Sequence, residues 1–311
     1  AQAARRPRPR LRDVAARARV STMTVVRVMR APEKVAAATR RRVETVIADT
    51  GYTPDLLARG LALNRSGVVA AIVPLLTNSL VAEVVQGLTA RLEAAGIHLL
   101  IGSSGFSVAR EEALVRAFLS RRVDGMFLTG TTHSPATRAM LAASEIPVVE
   151  GGNLTRAPID MVVGFSNRDA ARSVTRHLAA RCDGPIGFVG ARVRDNDRAR
   201  DRLAGFRETL RALGRPVDPE LVVEIGSGAR AAGELLDRRP DISGLLCSAD
   251  ALAAGAIFAC QARGIRVPGQ LAIASFDDIE IAALIRPALT TIRVPRRRIG
   301  ESAGQMIVER L

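Results

Sequence analysis

His98, His133 and His177 are the only histidines in the chain, and none falls in a recognisable pattern with a nucleophile and an acid. The phosphate loop G-x-x-x-x-G-K-[ST] and the metal helix H-E-x-x-H are missing, and IGSSGFS lacks the spacing of a dinucleotide-binding turn. Cys182, Cys247 and Cys260 are odd in number and far apart, so they read as three buried, small apolar residues rather than as zinc ligands or disulfides. The carboxylate pair Asp277-Asp278 stands out because it follows the apolar run LAIASF. There it is either a strand-end turn or helix cap, or an acceptor pair for ligand hydroxyls. Placement at a strand's carboxyl end favours the ligand role. This inventory points to binding without catalysis and implies no cofactor and no metal.

A second chemical pattern is RVSTMTVVRVMR, residues 19–30. At helical spacing, Val25, Val28 and Met29 share one face, while Thr22, Met23, Val26 and Arg27 share another. Ser21 is placed to cap this helix. The preceding LRDVAARA carries its own stripe, Leu11, Val14, Ala15 and Ala18. Two short helices, the second bearing small polar and basic residues, make a helix-turn-helix. At the turn, however, Arg19 stands where Gly is expected, and a non-Gly residue with positive φ costs about 1–2 kcal/mol there. The pattern alone therefore fits either a DNA reader or a helical hairpin.

Charge favours the reader. Residues 1–65 hold 15 of the 45 basic side chains against 5 of the 31 acidic ones, a net +10, which leaves +4 for the remaining 246 residues. A uniform arginine bias would not concentrate the excess in about a fifth of the chain, so a polyanionic partner is expected at this end.

The elements that must position these residues fall into two textures. Residues 1–10, rich in Pro and Arg, read as a disordered basic tail, 11–52 as a three-helix domain, and 53–66 as a linker with a short helical pattern. From residue 67, apolar runs of strand length alternate with amphipathic helical stretches, in one series over about 67–160 and a second over about 161–292. Continuous apolar strands alternating with helices predict parallel sheets covered on both faces. Two such series predict two doubly wound subdomains, with a cleft at the carboxyl ends of their strands. The longest apolar runs are too short to span a bilayer, and no secretion signal opens the chain, so a cytoplasmic protein is expected.

The stretch LRDVAARARVSTMTVVRVMRAPEKVAAATRRRVETVIADTGYTPDLLARGL resembles the DNA-binding headpiece of the LacI/GalR family of transcriptional regulators. The resemblance continues through GFRETL, RRPDISGLLCSADALAAGA, VPGQLAIASFDD and LTTIRVP. STMTVVRVMRAPE, LTNSLVAEVVQGL, LTGTTHSPATRAML and IPVVEGGN are similar to the gluconate-utilisation repressors of that family. The resemblance implies a lambda-repressor-like headpiece and a periplasmic-binding-protein-like core, with a C-terminal crossover back to the first subdomain.

The resemblance also implies roles. Thr22 and Met23 would face base edges in the major groove, with Arg27 reaching a guanine edge or a phosphate. Ser21, Thr24 and Arg40, with the rest of the Arg40–Arg42 run, would position the headpiece on the backbone. Ala58 would let two hinge helices approach, and Leu61 would wedge into the minor groove. Arg202 and Asp277, with Arg198 nearby, would hold a ligand from the second subdomain, Phe165 would wall the cleft, and Asn78, Thr132, His133, Glu150 and Asn153 would contribute from the first. Three positions depart from the family: Val26 and Ala36 stand where Ser is common, and Ala249 where Asn precedes the Asp.

With 3% aromatic residues and no Trp, a site dominated by ring stacking is disfavoured, and a sugar acid (gluconate, a ketogluconate or a phosphorylated form) fits the polar set. The expected protein is a homodimeric repressor on near-palindromic double-stranded operator DNA, released by its effector, with no membrane partner. A regulator answering to a neutral sugar or purine, or a solute-binding protein, is the alternative.

Overall fold

Leu11, Val14, Ala15 and Ala18 line one side of α1 (Leu11–Ala18), the first of three helices that share a small core. The computed structural model describes residues 9–53, 65–76, 79–224 and 228–311. Ala58, Leu61 and Asn78, each expected at a binding site, lie outside them. The chain divides into two compact units, residues 1–66 and 67–311.

In the first unit, α1 starts where the Asp13 carboxylate accepts the Arg10 N–H at 2.7 Å, and it ends at Arg19 in the left-handed region, φ 52°. There the Arg19 N–H donates to the Ala16 carbonyl at 3.2 Å and the Val20 N–H to the Ala15 carbonyl at 3.0 Å. That pair of hydrogen bonds is the Schellman closure. The same closure ends α3 (Ala37–Thr50), where Gly51 has φ 61° and Tyr52 N–H reaches back to Ile47. Arginine thus carries out the backbone task that Gly performs 32 residues later. Between them, α2 (Thr22–Arg30) is capped by the Ser21 hydroxyl accepting the Thr24 N–H at 3.1 Å. Val14, Val25, Val28 and Val43 are buried together beneath Tyr52.

The second unit holds two parallel five-stranded sheets. In order across the first sheet lie β2 (His98–Ser103), β1 (Val68–Val73), β3 (Gly125–Thr129), β4 (Val148–Gly151) and β5 (Met161–Val163). Across the second lie β10 (Thr290–Arg293), β9 (Ala272–Asp277), β8 (Gly244–Cys247), β6 (Ile186–Gly190) and β7 (Val222–Glu224). The inner strands β1, β3, β6 and β8 are almost wholly buried and apolar because both faces of each sheet are covered, whereas the edge strands β2 and β10 are partly exposed. Ala70 and Ile72 of β1 pack with α5 (Val108–Leu119) and α6 (Pro135–Ala142), whereas Val69 and Ala71 face α4 (Ser79–Ala94). The second sheet is sandwiched in the same way, by α7 (Asn167–Ala179) and α8 (Asp197–Ala212) on one face and α9 (Gly228–Arg238) and α10 (Asp250–Ala262) on the other. All three cysteines are buried thiols in this second subdomain.

The structure corrects one boundary. Met161–Val163, expected to open the second subdomain, pairs with β4 in parallel and completes the first sheet. An isolated apolar triplet carries no mark of which sheet it joins, and the crossover comes only afterwards, at α7. After the short α11 (Ile281–Leu284) and β10, the chain returns to the first sheet as α12 (Arg296–Arg310), whose Ala303 and Ile307 bury against Val69, Leu88 and Phe127. Gly87 and Gly300 let α4 and α12 touch backbone to backbone, for a Cβ at Gly300 would collide with the Val84 carbonyl and one at Gly87 with that of Arg297. Among the described residues no helix is long and apolar enough to cross a membrane.

Candidate functional site

On the first unit, the face of α2 opposite its core is open. Ser21, Thr22, Met23 and Arg27 are exposed, Met23 by 65%, while Thr24 and Val26 are half-buried at its edge. The Ser21 and Thr24 hydroxyls lie 2.9 Å apart and bind each other, which rigidifies the first turn. Arg40 leans on Glu44 at 3.8 Å along α3, a loose i, i+4 pair that leaves its guanidinium available. The exposed face thus combines hydroxyls, a thioether and cations, with no carboxylate among residues 21–30. A polyanion is its natural partner.

On the second unit, every strand is parallel, so the carboxyl ends of each sheet share one edge, and the loops leaving them meet across a cleft. A small, solvent-open cavity lies there, lined by Pro74, Ser104, Thr129 and Thr132 from the first subdomain and Asp195, Asp197 and Arg198 from the second, with Glu111 beneath. Of the residues expected at a ligand, Thr132 and Arg198 line this cavity directly. Asn153 is buried beside it, its amide donating to Asp197 Oδ2 at 2.9 Å and Asp201 Oδ2 at 2.8 Å. Phe165 is half-buried on the segment between β5 and α7.

Arg202 and Asp277, both expected at the ligand, lie 3.5 Å from each other, both nearly buried. The Arg202 guanidinium also donates to Asn167 Oδ1 at 2.9 Å and to the Ser248 carbonyl, and stacks 4.4 Å above the Phe276 ring. Burial pushes the Asp277 carboxyl up, against the pull of Arg202, and the same burial pushes the Arg202 guanidinium down. Asp277 has φ 116° and Asp278 φ 54°, conformations costing about 1–3 kcal/mol each that persist only where surroundings enforce them. Here the enforcement is visible. Asp250 accepts from Ile279 N–H at 2.8 Å and Thr291 Oγ1 at 2.6 Å, while the buried Arg296 donates to the carbonyls of both Asp277 and Asp278. Ala249 caps α10 without a side-chain bond.

His133 and Glu150 lie deeper than a ligand contact would require. The His133 ring is wholly buried, with Nδ1 2.7 Å from Glu111 and Nε2 3.3 Å from Glu150. Burial alone would lower its pKa, but the two carboxylates outweigh it and raise it to about 9. The imidazolium is therefore a built-in counter-ion under the cleft floor.

Several residues at the cleft were missed by sequence reasoning. Thr131 and Asp197 bridge the subdomains, the Asp197 carboxylate accepting from Thr131 N–H at 3.1 Å and Thr131 Oγ1 at 3.0 Å. Burial would raise the Asp197 carboxyl, yet the Arg198 charge and the bonds from Asn153 and Thr131 hold it below the usual carboxylate range. Arg200 reaches Thr132 Oγ1 at 3.1 Å, and Arg296 joins the Asp277 turn to Glu83 of α4 at 2.9 Å. Loop position after a strand was a usable signal for Thr131, and the start of the helix that follows a strand was one for Asp197. Nothing local marks Arg296 among the three arginines of 296–298.

Residues 10–55 match the model of bacterial regulatory proteins, lacI family, and residues 175–311 match a periplasmic binding protein-like domain. Over 99% of its length the chain is 32% identical to the HTH-type transcriptional regulator GntR of Escherichia coli (strain K12), covering 93% of that protein. A transcriptional regulator of the LacI family from Silicibacter pomeroyi superposes with TM-score 0.89 at 35% identity, covering 97% of this chain and 92% of that one. The lac repressor dimer bound to operator and the anti-inducer ONPF superposes with TM-score 0.83 at 25% identity, over 97% and 92% of the two chains. With a reader helix exposed on one unit and a polar cleft in the other, this chain belongs to the LacI family of DNA-binding transcriptional regulators.

Proposed function

We propose that the protein is a cytoplasmic, homodimeric repressor whose operator affinity is set by a small sugar acid bound in the cleft of the second unit. The observation that carries the effector reading is the Arg202–Asp277 pair, held at 3.5 Å at the carboxyl end of the second sheet beside cavity-lining Arg198 and Thr132. Cations there suit a carboxylate or phosphate, and the acidic and hydroxyl groups suit a polyol chain. Similarity to gluconate-utilisation repressors supports gluconate, a ketogluconate or a phosphorylated form.

On DNA, Thr22, Met23 and Arg27 read bases from the exposed face of α2, while Ser21, Thr24 and Arg40 hold the backbone. Met23 has no hydrogen-bonding head and selects thymine methyls by apolar contact. Ala58 and Leu61 complete the interface at the hinge. Coupling of about 1–3 kcal/mol between cleft and headpiece changes operator affinity roughly 5–150-fold.

The test is a mobility shift with promoter DNA, with and without gluconate, alongside a thermal-shift panel of sugar acids and their phosphates. Gluconate should release the DNA. Arg40→Ala should weaken all sequences alike and lower the salt slope by about 1, whereas Met23→Ala should alter base preference. Failure to bind any DNA at low salt would refute the regulator's operator role. A neutral sugar is the second reading, favoured by Glu111 and Asp195 on the cavity wall. Thermal stabilisation by aldoses alone would select it.

A further inference from the structure

Three hydrogen-bond donors of the first subdomain converge on one point in the cleft: the Thr131 N–H, the Thr131 hydroxyl and the Asn153 amide. Asp197 Oδ2 occupies that point at 3.1, 3.0 and 2.9 Å. The donors come from loops after β3 and β4, neighbouring strands of one sheet, and the carboxylate comes from the first turn of α8 in the other subdomain. Asp197 Oδ1 meanwhile takes a bond from Arg198 at 3.0 Å. Gly130 and Gly152, with φ of 99° and 88°, leave bare backbone facing this pair. A Cβ at Gly130 would stand 2.7 Å from the Asp197 carboxylate and collide with the Arg198 guanidinium. The first subdomain therefore carries neutral donors on a glycine floor, shaped for one carboxylate, and a cation stands beside it.

We propose that Thr131 and Asn153 form a carboxylate-binding subsite, filled by Asp197 in the arrangement seen here and by the carboxylate of a small acidic ligand when that ligand displaces it. The proposal rests on the sugar-acid reading and specifies which end of such a ligand goes where. Asp197 is an internal stand-in: it satisfies the half-buried Thr131 donors and one N–H of the buried Asn153 amide, which also donates to Asp201 at 2.8 Å, and leaving such donors unpaired costs more than an ordinary hydrogen bond yields. An incoming carboxylate inherits the same three donors and Arg198, so the subsite need not be rebuilt. A neutral polyol cannot replace the charge that Arg198 loses, and the subsite thereby separates an aldonic acid from its aldose.

Chemical rescue tests the subsite without presuming the natural ligand. D197A empties it, D197N keeps the shape without the charge, and T131V removes the hydroxyl. In sodium acetate the full-length D197A chain should melt about 2–4 °C higher than in equal sodium chloride, while the parent chain and D197A/T131V should not respond. By calorimetry, gluconate should bind D197A and D197N about tenfold more tightly than the parent, because the internal competitor is weakened or gone, and any glucose binding should be unchanged. Should D197A fail to fold, the D197N comparison carries the test. Acetate acting no better than chloride on D197A, or equally on the parent, would overturn the subsite, as would gluconate binding both variants more weakly than the parent. Acetate rescue with no gluconate binding to any form would leave the subsite standing and refute the sugar-acid reading.

Discussion

Replacing His133 by Gln tests the electrostatics beneath the cleft. The ring lies in the loop after β3, 2.7 Å from Glu111 of α5 and 3.3 Å from Glu150 of β4, with no exposed surface. Its pKa rises from 6.5 to about 9, despite the opposing effect of burial, because both carboxylates hold the charged form. A rise of that size corresponds to about 3 kcal/mol of stability from the protonated ring. Because the folded-state pKa lies above the unfolded one, this stability is fully present below about pH 6.5 and is lost as pH rises through about 9. Within that window the folded state holds the extra proton, and stability falls by at most about 1.4 kcal/mol per pH unit. His133→Gln keeps a polar group between the carboxylates but cannot titrate. Its melting temperature should therefore be nearly flat over the window where that of the parent chain declines. Ring NMR gives the direct reading, since the chain has 3 histidines and their signals are readily assigned by substitution. A His133 ring titrating at or below 6.5, or parallel melting profiles for parent and variant, would refute the reasoning.

Four further outcomes follow from backbone geometry. Gly300→Ala should destabilise the core by about 1–3 kcal/mol or more in thermal melts, because the added methyl meets the Val84 carbonyl and the Leu88 N–H of α4, which cannot yield separately. Ala36→Ser should stabilise the three-helix unit by about 1 kcal/mol by supplying the missing cap of α3, measured by helical circular dichroism of the melting headpiece. Gly51→Ala should cost about 1–2 kcal/mol, since open space surrounds its Cβ position and only φ opposes it; Arg19→Gly should gain less than that, because Gly adds entropy to the unfolded chain.

The Arg19 turn shows what a local pattern can convey. The stripes of α1 and α2 placed both helices and the turn between them, and the turn forms with Arg in the left-handed conformation. Substituting Arg for Gly changes the cost of the turn without changing its hydrogen bonds. At the cleft, the residue that ends a long strand was legible, for Asp277 closes β9; Arg202, which meets it, was marked only by the family resemblance. His133 was legible as a residue of interest, but its ligand role was an analogy of position. The two carboxylates enclosing it come from sequence separations of 22 and 17 residues on different elements, and no spacing rule links them.

The sequence by itself determined the organisation: a basic three-helix unit, two alternating strand and helix series, and the polar positions at strand ends. These follow from periodicity, capping chemistry and charge placement, which act between near neighbours. Tertiary structure alone decided the partners. Met161–Val163 joins the first sheet because β4 offers it an edge, and Arg296 is buried because α12 folds back across to α4. Asp197 seats on Thr131 and Asn153 because the loops of two separate sheets converge. Such contacts depend on where distant elements are packed, and no residue carries that information within its own stretch of chain.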